Sequence, residues 1–129
     1  MRLYRILTGL VALMLAVALP MALAGNAEAA GKPKHQITVK GTEPKPNLFY
    51  VKGYVEPTYA KAPAVMERKT CGTCSWHAWK SFTTDSNSHF KVHVYGPGRG
   101  QQKICYRVKV AATKNFATSR SRSLCVVRL

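Results

Sequence analysis

The chain has 129 residues, 20 of them Lys or Arg against 5 Asp or Glu, for a formal net charge of +15. None of the few acids stands in an acidic motif, so the composition gives no sign of a carboxylate-pair hydrolase. The positive charge favours encounters with polyanions.

Arg2 and Arg5 open the chain, followed by the apolar run ILTGLVALMLAVAL and by small-residue sites at Ala22–Ala24 and Ala27–Ala29. A basic head, an apolar middle and an A-x-A tail read as a secretory signal peptide over residues 1–29, cleaved after Ala29, with the site after Ala24 as second choice. The apolar run is short for a membrane span. No second one follows, so the chain from Ala30 is expected outside the cell, with no transmembrane anchor. The leader takes only Arg2, Arg5 and Glu28, which leaves 18 basic and 4 acidic residues, net +14.

Residues 30–47 read as a lead, AGKPK, then a first strand at Gln36–Lys40 and a proline-rich connection, GTEPKPN. A β-sandwich domain is expected over 48–129. Leu48–Val55 is β-branched and aromatic, with Gly53 as a candidate bulge. After the loop EPTYAKAP come strands at Ala64–Thr70 and Ser75–Thr84, separated by the CGTC turn. DSNS at 85–88 is a further turn. In HFKVHVY, Phe90, Val92 and Val94 alternate with Lys91 and His93. In KICYRVKVA, Ile104, Tyr106, Val108 and Val110 take one face, while Cys105, Arg107 and Lys109 take the other. The final strand is Ser123–Leu129, after the loop TKNFATSRSR. Seven short strands and no convincing helix define an all-β, seven-stranded antiparallel sandwich.

Cys71 and Cys74 have the spacing of a redox dithiol, half a metal site or a stapled turn. An exported chain of this size should have its cysteines paired. Cys105 and Cys125 are not a second CxxC, and His77, His89 and His93 have no finger spacing. Cys71 and Cys74 flank a hairpin tip. Cys105 and Cys125 come opposite each other if the chain folds back near residue 115. The expected disulfides are therefore Cys71–Cys74 and Cys105–Cys125, with no metal and no cofactor.

The succession GYVEP (53–57), VMERK (65–69), Trp76, TTDSNSHFKVHV (83–94), CYRVKVAAT (105–113) and SRSLCV resembles the small immunoglobulin-like or fibronectin type III-like modules of exported actinobacterial proteins. The resemblance implies an immunoglobulin-like sandwich serving as a spacer or binding domain. Two features depart from it. Ser88 stands where the modules usually carry a turn glycine, and the four cysteines are additions.

No nucleophile motif accompanies His35, His77, His89 or His93, and GPGRG (96–100) lacks the lysine and helix of a P-loop. The chain is read as a non-enzyme. No specific nucleic-acid motif is present either. What remains is surface recognition of an anionic polymer or cell-surface glycan, the rival being a cationic antimicrobial or toxin-like action on membranes. Trp79 and Tyr95 fall on outward phases beside basic residues. Trp79 reads equally as core or edge packing, because Lys80 shares the Trp76 parity and a bulge there would change the buried side. Trp76 is expected in core or edge packing. Lys91, Arg107 and Lys109, with Arg99 on the loop between, form one patch if their strands are neighbours. Arg107 and Lys109 are both expected to point to water.

Overall fold

The computed structural model describes residues 31–129, and the leader read in residues 1–29 lies outside them. Eight strands follow one another: β1 (Gln36–Lys45), β2 (Leu48–Glu56), β3 (Pro63–Lys69), β4 (His77–Thr83), β5 (His89–Val94), β6 (Lys103–Val110), β7 (Ser119–Arg120) and β8 (Leu124–Val127). All pair antiparallel, in two sheets. One has the order β1-β2-β5. The other has the order β4-β3-β6, with β7 and β8 side by side in sequence along the free edge of β6. The eighth strand is the two-residue β7, inside what the sequence reads as a loop.

The period-two pattern explains the layering. Ile37, Val39, Val51, Val55, Phe90, Val92 and Val94 of the three-stranded sheet join Ala64, Met66, Ile104, Tyr106, Val108 and Val110 of the other in one buried cluster. The residues between them face outward, so each sheet has a second, wet face.

Several local features differ from the sequence reading. The connection GTEPKPN is mostly strand: β1 runs to Lys45, and Pro46–Asn47 makes the turn, with Asn47 at φ 62°. Pro44 is tolerated because β1 is an edge strand that need not donate outward. Gly53 is no bulge, since β1 and β2 pair without a shift from Gln36 to Thr42. It is glycine because a Cβ there would fall 1.8 Å from the Thr38 carbonyl oxygen. Ser88 does adopt the left-handed conformation usual for glycine, at φ 65°. Its hydroxyl accepts from the Tyr59 amide (2.8 Å), which holds the turn against that strain. Asp85 Oδ1 accepts from the His89 and Asn87 amides, and these two bonds hold its carboxyl below the usual range.

Both disulfides are present. Cys71–Cys74 closes the turn between β3 and β4, and Cys105–Cys125 joins directly opposed residues of β6 and β8. Cys105 is on the outer phase of β6 yet buried.

Candidate functional site

The patch expected from Lys91, Arg99, Arg107 and Lys109 does not form. β5 and β6 follow each other in the chain but belong to different sheets. Lys91 is therefore on the outer face of one sheet, Arg107 and Lys109 on that of the other, and Arg99 on the loop that crosses between them. Nor does Arg107 point to water. Its Nε donates to the buried Glu67 carboxylate (2.5 Å), and its guanidinium lies 4.3 Å from the Trp76 ring centre. Arg120 approaches the same carboxylate at 3.8 Å. Trp76 thus packs over Arg107 on the outer face, at the edge and not in the core.

Trp79 is not an outward platform. The β3–β4 register slips by one residue there, since Met66 faces Lys80 while Glu67 faces Ala78. The slip places Trp79, half-buried, against Tyr106 (5.4 Å between ring centres) and Tyr95 (5.9 Å, edge-on). Tyr95 is 56% exposed, as its phase predicts. Its ring also meets His93 at 4.8 Å, at the rim of the three-stranded sheet.

That sheet carries an arrangement the sequence reading missed. The register sets Lys40 opposite Lys52, and Lys52 opposite Lys91, so three lysines cross three strands in a straight row. On one side runs the row Thr38–Tyr54–His89, and on the other Thr42–Tyr50–His93. Each strand thus presents the same residue type on both sides of its lysine. The cause is visible in the chain as TVKGT, YVKGY and HFKVH, three lysine-centred segments with identical ends. Apolar or glycine positions alternate with the displayed residues, which sends all nine displayed side chains to one face.

Like charges directly opposite on neighbouring strands destabilise a sheet. The row is not neutralised internally: no carboxylate lies within 4 Å of these ammonium groups among the described residues. Lys91 leans away, its Nζ 4.5 Å from the Tyr50 ring centre. The Tyr50–His93 and Tyr54–His89 rings pair at 5.4 and 5.6 Å. A shallow depression of about 430 Å³ opens over Lys40, Lys52, Lys91, Tyr54 and His89, with Asp85 also on its lining. Among the described residues no group of three or more His, Cys, Asp or Glu is placed to hold a metal ion.

Comparison with family models, with characterised proteins and with solved structures finds no match to this chain.

Proposed function

We propose that this chain is a secreted, non-enzymatic binding module that contacts an anionic extracellular polymer or cell surface through the outer face of the β1-β2-β5 sheet. The observation that carries this reading is the lysine row. Three cations held in register with no carboxylate in ion-pair contact cost the free protein stability, and a polyanion laid over them removes that cost. Two disulfides in a small β domain are compatible with an oxidising, extracellular setting.

The fold reading that accompanies this is immunoglobulin-like. The sheet orders β1-β2-β5 and β4-β3-β6 support it, as does the buried Tyr106. Its hydroxyl donates to the Tyr95 carbonyl (2.7 Å) and accepts from the Tyr95 amide (3.1 Å), in the manner of a tyrosine corner. Burial raises the phenol pKa and keeps it a donor.

Co-sedimentation with anionic cell-wall fractions tests the function at low and raised salt. The Lys40→Gln/Lys52→Gln/Lys91→Gln variant should lose at least tenfold in affinity, and the wild type should weaken steadily with salt. A control with equal charge loss elsewhere, Lys103→Gln/Lys109→Gln/Lys114→Gln, should retain most of its binding. Equal loss in both variants would reduce the row to part of a general basic surface. Leakage from anionic vesicles, without wall binding, would transfer the function to membranes.

A further inference from the structure

We infer that the polymer bound at this face is an acidic polysaccharide with about one anionic group per sugar, lying along the lysine row and across the strands. The inference builds on the functional reading above and specifies its ligand.

Charge spacing is the first argument. Neighbouring strands lie about 4.8 Å apart, close to the length of one sugar in an extended glycan. Lys40 and Lys52 then meet successive sugars, and Lys91 reaches a third once its ammonium swings off the Tyr50 ring. A phosphodiester chain has a longer repeat and would engage the three lysines less evenly. The charged groups are all lysine, so the row supplies point charges without the planar fork that arginine offers a single oxyanion. It is suited to reading a line of charge rather than one anion.

The flanking rows supply the second argument. Each contains a threonine hydroxyl, a tyrosine phenol and a histidine ring. Hydroxyl and phenol both donate and accept, and a neutral imidazole has one nitrogen for each role. Sugar hydroxyls have the same dual capacity. A cation track bordered on both sides by such groups complements a chain with acids along its length and hydroxyls on either flank.

Stacked nucleobases fit less well. Base stacking needs open ring faces. The Tyr50 face carries the Lys91 ammonium, and both tyrosines are tilted against histidines at 42° and 50°. The matching of Thr, Tyr and His rows on the two sides also lets a chain of either polarity lie along the track.

The test is binding of the intact secreted protein to oligogalacturonates of two to six sugars, with oligo(dT) and poly(glycerol phosphate) compared at equal charge. Affinity should rise steeply to about three sugars, the span of the row, and change little beyond it. Tyr50→Phe/Tyr54→Phe keeps the rings but removes both phenols. It should weaken galacturonate binding about fivefold and leave oligo(dT) unaffected, with an unchanged melting temperature showing that the fold is intact. Equal or tighter binding of oligo(dT) or poly(glycerol phosphate), still lost in the triple lysine variant, would overturn the glycan assignment and leave the site standing. Binding of all three polymers that ignores the triple variant would overturn both.

Discussion

The two outer faces of the sandwich use positive charge in opposite ways. On the five-stranded sheet and its adjoining segments four arginines are tied into the structure, while Lys103 and Lys109 make no ion pair among the described residues. Arg107 is held by Glu67 and Trp76, with Arg120 beside the same carboxylate. Arg122 reaches across to the Val39 carbonyl (3.0 Å), and Arg128 binds the Pro97 and Gly98 carbonyls. On the outer face of the three-stranded sheet the row lysines are aligned with no carboxylate within 4 Å among the described residues, although Glu56 follows Tyr54 on β2 and Asp85 lines the same depression. Arginine suits the first role because its several donors reach fixed acceptors, and lysine the second because a compact ammonium on a flexible stem remains available. A net charge is therefore a poor guide to a binding surface. What matters is which charges the fold has already engaged.

The five-stranded face should respond to substitution through stability. The largest effect is expected for Cys105→Ala/Cys125→Ala. It frees β8 from β6 across a 20-residue separation and should cost about 3 kcal/mol in urea unfolding. A loss below about 1 kcal/mol would mean that the strand pairing holds this edge without its covalent link. Next is Glu67→Gln, which leaves Arg107 without its buried counter-charge. A loss of about 2 kcal/mol is expected. The same variant sharpens the contrast between faces, because it raises net charge by one at a distance from the lysine row. Polymer affinity should stay at the wild-type value. A rise would mean that the partner senses overall charge rather than the row.

Much of this architecture is legible in the chain because alternation is a local signal. Phe90, Val92 and Val94 in β5, and Ile104, Tyr106, Val108 and Val110 in β6, announce both the strands and their buried faces. The cross-strand disulfide follows from two cysteines placed about one fold-back point. Which strands share a sheet is another matter, since it is a non-local property. β5 and β6 look like neighbours because successive strands usually pair, yet residues 95–102 carry the chain to the opposite sheet, and the expected patch breaks apart. Trp79 stays open in the sequence for a related reason: a one-residue slip in register reverses the phase of a strand, and the pairing with β3 decides it for packing. The lysine row is an intermediate case. TVKGT, YVKGY and HFKVH can be seen in the sequence, but only the order β1-β2-β5, in register, turns three similar segments into one surface.

The smallest predicted effect separates the faces most sharply, because it has the opposite sign. Lys52 is the middle of the row, with a lysine opposite it on each side. Lys52→Gln removes both repulsions while keeping a long, exposed side chain on β2. It should stabilise the protein by about 0.5 kcal/mol at low salt, a rise of about 3 °C in melting temperature for a domain of this size. The gain should shrink as ionic strength shortens the screening length to about 8 Å and below. Lys103→Gln provides the comparison. Lys103 is also exposed and in a strand, but it faces Val127 rather than another cation, so its loss should leave stability unchanged. Thermal melts of the three proteins at two salt concentrations decide the matter. If Lys52→Gln melts with or below the wild type at low salt, the row carries no repulsion for a ligand to relieve, and the main energetic argument for its function is lost. If it melts higher while binding polymer more weakly, stability has been exchanged for recognition at that single position.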